Sequence, residues 1–235
     1  MRPIHAGIIA AGHGERLSGR YPGLPKPLVP VAGRPLCHWI AGSLLQAGFE
    51  TITLLHNSKG RAIRDSLKAA FPKLKWAFLQ EDTASSWESF RLVSRTLSRH
   101  EEPFMVSTVD AIVPPAEIVK FLDTASGKSA ALALTDFVDD EKPLWAELKG
   151  DRVVALGDAC TVKKYATSGM YYLTPKAVSQ MPEASKYSKL REYLGDLVAS
   201  GAPVAGAALS KTLDVDRPED VDAAEGFLKE AITTW

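Results

Sequence analysis

Cysteine is scarce in this chain. Its 235 residues hold two, Cys37 and Cys160, with no CxxC and no Cys/His spacing, which argues against a disulfide framework or structural zinc and suits a reducing, cytoplasmic setting. A charge excess is missing too. Lys and Arg total 28 and Asp and Glu total 28, so no uniform field draws nucleic acid or a membrane surface. No apolar run approaches a membrane span, and Arg2-Pro3 leads straight into the first apolar strand with no room for a signal peptide. Neither an internal repeat nor a low-complexity linker is present. Such a chain reads as one domain, long enough to bury a sizeable core, soluble and without a membrane or nucleic-acid partner; its oligomeric state is not legible.

The opening is the most informative part of what is there. An apolar strand, Ile4 to Ala11, runs into Gly12-His13-Gly14-Glu15-Arg16-Leu17 and then Pro25-Lys26-Pro27-Leu28. Glycines let backbone N–H groups approach phosphate oxygens, and Arg16 and Lys26 bring cations to the carboxyl end of a parallel strand. The pattern predicts a clamp for a nucleoside triphosphate. A dinucleotide fingerprint is a poor alternative: Leu17 takes the place of its third glycine, and Gly19, Pro22, Gly23, Pro25, Pro27 and Pro30 forbid a helix until about Pro35. Gly127-Lys128-Ser129 imitates the end of a Walker A loop, yet Leu122 stands where the first glycine belongs and the segment precedes a strand.

Charge gathers locally. Residues 1–36 carry Arg2, Arg16, Arg20, Lys26 and Arg34 against Glu15 alone, a local +4; residues 213–225 carry Asp214, Asp216, Glu219, Asp220, Asp222 and Glu225 against Arg217 alone, a local −5. A fold that joins the two sets cationic loop and carboxylates around a phosphate and its metal.

Strand-like and amphipathic runs alternate through the first half: strands at 4–11, 51–55, 76–79 and 104–109, helices at 35–47, 60–70, 85–99 and 115–124. This βαβ series predicts a mostly parallel sheet with helices on both faces. After residue 129 the rhythm changes. Strands are expected at 130–134, 144–148, 152–156, 165–173, 204–208 and 212–215, with helices at 175–181, 190–200 and 218–229; Lys149-Gly150-Asp151 marks a hairpin. The second half reads as an antiparallel extension that folds over the sheet edge.

Asp110 ends the apolar strand 104–109, the position from which open α/β sheets present catalytic groups. Two readings stand side by side: a metal ligand, or a turn aspartate ahead of Pro114-Pro115. Asp214 and Asp216, two apart at a strand end, project to one face at a spacing suited to a hard cation such as Mg²⁺. Glu219, Asp220 and Asp222 follow Pro218 and read instead as complements to a helix N-terminus. Residues 83–90 read either as a binding segment or as a capped helix start with Trp87 and Phe90 in the core. His5, His38 and His100 have no partner at metal spacing and read as packing or surface residues.

Residues 10–17 together with Pro25-Lys26-Pro27-Leu28-Val29-Pro30-Val31-Ala32-Gly33-Arg34-Pro35-Leu36 resemble the signature of the sugar-phosphate nucleotidyltransferases, including the MobA-like branch. Weaker similarities continue through 80–90, Thr108-Val109-Asp110, 167–171 and 214–220. The resemblance implies an α/β, GT-A-like three-layer fold, with a nucleotide-binding half (1–128), an acceptor-binding half (129–212) and a segment of metal aspartates and closing helix (213–235). It implies transfer from a nucleoside triphosphate to a sugar 1-phosphate, with pyrophosphate released and Mg²⁺ as cofactor. Phosphocholine or the molybdenum cofactor are alternative acceptors, and a catalytically weak paralogue that senses nucleotide is another reading. Because a phosphate nucleophile is already anionic at neutral pH, no Ser/His or Cys/His constellation is required, and the sequence has none.

Carried onto this chain, the resemblance gives Ala11, Gly12 and Gly14 the nucleotide, Arg16 the departing pyrophosphate, and Lys26 the bridge between α-phosphate and acceptor phosphate; His13 joins the nucleotide candidates because it sits inside the glycine loop. It gives the base to Gln80, Ser85 and Ser86, the acceptor to Ser168 and Gly169, and the metal to Asp110 with Asp214 or Asp216. Lys163, in the Lys163-Lys164 pair, is a further candidate for the acceptor phosphate. The family's usual glycine before the metal aspartate is Val109 here, its Gly-Thr is Ser85-Ser86, and its Asn-Ala-Gly is Thr167-Ser168-Gly169.

Overall fold

Residues 3–12, 14–138, 142–210 and 212–231 are described by a computed structural model. β1 (His5–Ala10) is a small, branched, apolar run that is covered on both faces, as a central parallel strand must be. Gly7 within it has a packing reason: a Cβ there would run into the side chains of Val93 and Leu97, so the helix above lies directly on the strand. Two short strands follow, β2 (Pro30–Val31) and β3 (Arg34–Pro35). They are joined by Ala32 and Gly33, both at positive φ (48° and 75°), as a tight two-residue hairpin turn demands.

The expected alternation then appears: α1 (Leu36–Gln46), β4 (Thr51–His56), α2 (Arg61–Ala70), β5 (Lys75–Gln80), α3 (Ser86–Leu97) and β6 (Phe104–Thr108). β7 (Ala111–Ile112), α4 (Pro115–Ala125), β8 (Ala130–Thr135), β9 (Trp145–Lys149), β10 (Arg152–Leu156) and β11 (Tyr165–Leu173) come next. The chain closes with α5 (Pro175–Ser179), α6 (Leu190–Ala199), β12 (Val204–Leu209), β13 (Leu213–Asp214) and α7 (Pro218–Ala231).

Nine strands form one sheet in the order β5-β4-β1-β6-β11-β8-β12-β10-β9. β5, β4, β1 and β6 are parallel neighbours. The second half departs from a flap over the edge. β11 enters the same sheet antiparallel to β6 and β8, β8 and β12 run parallel, and the β9–β10 hairpin curls until β9 pairs again with β11.

Alternation along the strands divides the core. Ala6, Ile8 and Ala10 join α1, α2 and α4 on one face, while Val106, Trp87 and Phe90 join α6 on the other. A third apolar cluster lies apart from both: Leu17, Val29, Val31 and Trp39 of the N-terminal segment pack against Ile112, Leu213, Val215, Val221 and Leu228. Among the described residues no helix is long and apolar enough to cross a membrane.

Candidate active site

The strand ends carry the chemistry. β1 stops at Ala10, and the chain passes Gly12 and enters a 3₁₀ turn at Glu15–Leu17 through Gly14, which is left-handed at φ 65°. A Cβ on Gly14 would overlap that of Lys26, so the loop backbone rests on the lysine stem. Lys26 itself opens a second 3₁₀ turn at Lys26–Leu28 and is 8% exposed.

From β6, Thr108 hydrogen-bonds Asp110. From the far end of the chain, β13 pairs with β7, placing Asp214 opposite Ala111, and the Val215 amide donates to the Asp110 carbonyl at 3.1 Å. This short ladder brings Asp110 and Asp216 together. The Lys26 ammonium donates to Asp110 Oδ2 at 2.5 Å and to Asp216 Oδ1, and Arg16 reaches Asp216 Oδ2 at 3.0 Å. Burial opposes the charge on Lys26, but the two aspartates more than reverse it and hold its pKa above the usual lysine value. Burial likewise opposes ionisation of Asp110, and the lysine overrides it, holding the carboxyl below the usual range. Both groups are therefore charged at neutral pH.

The two charge clusters meet. Arg20 makes a two-pronged contact with Asp222 at 2.9 and 3.0 Å and donates to the Pro218 carbonyl, while the Ala32 amide donates to Glu225. Asp220 accepts the amides of Asp216 and Arg217 and pairs with the Arg217 guanidinium at 2.9 Å. Asp220 thus holds the turn that presents Asp216.

A cleft of about 550 Å³ opens over these groups, lined by Ala11, Gly12, Gly14, Arg16, Lys26, Asp110 and Asp216 on one side and by 83–86 with Ser89 on the other. Ser85 in that wall is a helix cap, accepting the Glu88 amide at 3.0 Å, and Ser86 accepts the Leu190 amide at 3.0 Å. Trp87 and Phe90 are buried behind them. The segment is both a capped helix start and a cleft wall. A second cavity, about 60 Å³, shares Arg16 and Asp216 with the first and is lined also by Thr135, Phe137, Thr167, Thr212 and Asp214.

Four sequence candidates fall elsewhere. Gln80 ends the edge strand β5, exposed and outside both cavity linings. Lys163 lies on the exposed loop before β11 and lines neither cavity. Ser168 is buried with its hydroxyl lacking a hydrogen-bond partner, and it too lines neither. Gly169 is left-handed at φ 71° in a bulge of β11, where a Cβ would come within 2.5 Å of Thr108 Oγ1. Its smallness brings β11 against the residue that bonds Asp110, which is a framework role. His13 lies outside the described residues. Thr135 and Thr212 were missed because nothing in their local sequence marks them; only the β8–β12 pairing and the β13 ladder bring them together.

Asp110 and Asp216 are hard oxygen donors from remote segments that converge on one point and face a cleft. That donor set fits Mg²⁺, which at phosphate sites uses one or two carboxylates and takes its remaining ligands from water and substrate. Asp214 instead lines the smaller cavity. Among the described residues no group of three or more His, Cys, Asp or Glu side chains is placed to hold a metal.

A family model described as a MobA-like NTP transferase domain matches residues 6–164. N-acetylmuramate alpha-1-phosphate uridylyltransferase of Neisseria meningitidis serogroup B is 48% identical over 64 residues, 27% of this chain and 28% of the relative. Bifunctional protein GlmU of Anaeromyxobacter sp. (strain K) is 24% identical over 219 residues, 88% of this chain and 44% of the relative. The chain thus spans less than half the length of these curated relatives. The inositol-1-phosphate CTP transferase from T. maritima superposes with a TM-score of 0.81 over 98% of both chains at 21% identity, a likeness of fold.

Proposed function

The chain belongs to the MobA-like NTP transferase family, and from that premise we propose that it is a nucleotidyltransferase joining a nucleoside triphosphate to a phosphorylated acceptor, a sugar 1-phosphate before others. The observation that carries this reading is the convergence of the glycine loop, Arg16, Lys26, Asp110 and Asp216 on one cleft. Relatives named for uridylyl transfer to a sugar 1-phosphate and for CTP transfer to inositol 1-phosphate support the acceptor class.

In this reaction an anionic oxygen of the acceptor phosphate attacks the α-phosphorus. A new P–O bond forms as the bond to the bridging α–β oxygen breaks, and pyrophosphate leaves with that electron pair. No proton has to be removed from the nucleophile, so the protein's work is in-line positioning and charge neutralisation. Ala11, Gly12 and Gly14 offer a backbone cradle, Arg16 faces the departing pyrophosphate, and Lys26 spans the α-phosphate and the acceptor phosphate. Asp110 and Asp216 would hold Mg²⁺, which would neutralise charge on the phosphate oxygens. Ser85 and Ser86 border the base. We assign the acceptor's hydroxyls to Thr135, Thr167 and Thr212 of the smaller cavity, since Lys163, Ser168 and Gly169 line neither space.

The test is pyrophosphate release across the four ribonucleoside triphosphates and a set of sugar 1-phosphates, inositol 1-phosphate and phosphocholine, with and without Mg²⁺. Turnover with one pair is the expected result. Tight nucleotide binding with no turnover for any pair would replace this reading with that of a nucleotide sensor.

A further inference from the structure

Lys26 stands between the two carboxylates that would hold a metal. Its ammonium is shared between Asp110 and Asp216, the second oxygen of Asp216 is taken by Arg16, and the lysine is 8% exposed. The chain thus neutralises both carboxylates with cations of its own. A divalent ion seated between the two carboxylates would meet the ammonium at Asp110 Oδ2 and Asp216 Oδ1, so ion and ammonium compete for one place. The lysine cannot simply withdraw, because an unpaired ammonium in so buried a place is strongly disfavoured. It needs another anion within reach of its four-carbon stem, and the adjoining cleft has room for one.

We propose that Lys26 is a movable internal counter-ion, which keeps a divalent cation from the place between Asp110 and Asp216 until a polyphosphate in the cleft draws the ammonium away. Cation and polyphosphate then bind with positive coupling, and the coupling is reciprocal. This inference rests on the proposed function for the identity of the polyphosphate; the exclusion rests only on the lysine and the two aspartates.

The experiment titrates the full chain with Mn²⁺ and no nucleotide, reading free Mn²⁺ by electron paramagnetic resonance. Lys26→Met is expected to bind Mn²⁺ about 5- to 150-fold more tightly than the unaltered chain, the usual span of coupling between sites. Lys26→Arg stays weak, and Asp110→Asn placed on Lys26→Met removes the gain. In the unaltered background Asp110→Asn leaves the Mn²⁺ titration unchanged, because Asp110 is already occupied; this comparison does not require Lys26→Met to fold. A folded Lys26→Met with no gain, or an unaltered chain whose Mn²⁺ affinity falls on Asp110→Asn, overturns the proposal. A gain in Lys26→Met without pyrophosphate release for any substrate pair would preserve the counter-ion and defeat the transfer reaction. Turnover without the gain would do the reverse.

Discussion

Gly14→Ala tests the site's packing directly. The residue sits at φ 65°, and an added Cβ would overlap that of Lys26, with the Lys26 Cα itself only 3.5 Å away. Holding an L-residue in the left-handed region costs about 1–2 kcal/mol. Forcing a methyl into this contact adds about 1–3 kcal/mol, since the obstacle is the root of the lysine and not its flexible end. If the loop stays in place, stability falls by about 2–5 kcal/mol. If the loop yields instead, the loss moves to function, because Lys26 is pushed from Asp110 and Asp216. Urea unfolding and kcat/KM for pyrophosphate release, measured on the same preparations, divide the cost between the two. Gly19→Ala is the control: a Cβ there meets nothing within 4 Å, and a surface change of that kind stays within about 0.5 kcal/mol. Gly14→Ala with unaltered stability and unaltered kcat/KM would refute the contact.

Three further outcomes are expected. Asp110→Asn should abolish metal-supported turnover while its far-ultraviolet circular dichroism is unchanged; full activity would remove Asp110 from the site. Trp87→Ala should lower unfolding free energy by about 3–5 kcal/mol in urea, since Trp87 is wholly buried and its ring lies 4.2 Å from that of Tyr193. His5 is held below the usual imidazole range first by burial and then by His100, whose ring stacks on it at 3.9 Å; Lys75 acts in the same direction, and Glu102 and Glu50 oppose. The unfolded chain therefore binds more protons at this position than the folded one. That contribution is complete above about pH 6.5 and is lost as pH falls through the lowered folded value. Melting temperatures between pH 7.5 and 5 should fall less steeply in His5→Gln, and an identical slope would count against the effect.

Much of the framework was legible because hydrophobic period and punctuation agree. Gly48, positive at φ 97°, ends the first helix where the sequence places its stop, and every strand and helix of the first-half series appears within a few residues of its expected span. The family, too, could be read from residues 10–36, and the family match bears it out. Where strands go was harder. β11 inserts beside β6 after four intervening strands, and no local pattern encodes a non-sequential neighbour. The strand at 212–215 was legible, but its partner β7 has two residues, too few for alternation to register, and that pairing brings Asp216 to Asp110. The acceptor-side candidates lie outside both cavity linings; Gly169 meets a close backbone approach, and a glycine's sequence context does not say whether a ligand or another strand comes near.

The third apolar cluster fastens one segment to another that is made about two hundred residues later. Leu17, Val29 and Val31 find their cover in Leu213, Val215, Val221 and Leu228, and Arg20 and Ala32 find their partners at Asp222 and Glu225. On the ribosome the segment that follows the glycine loop therefore emerges nearly two hundred additions before the residues that cover it. A nascent chain arrested before α7 would carry every described strand and every lining residue of the larger cleft, but not the helix whose Val221 and Leu228 cover the N-terminal segment.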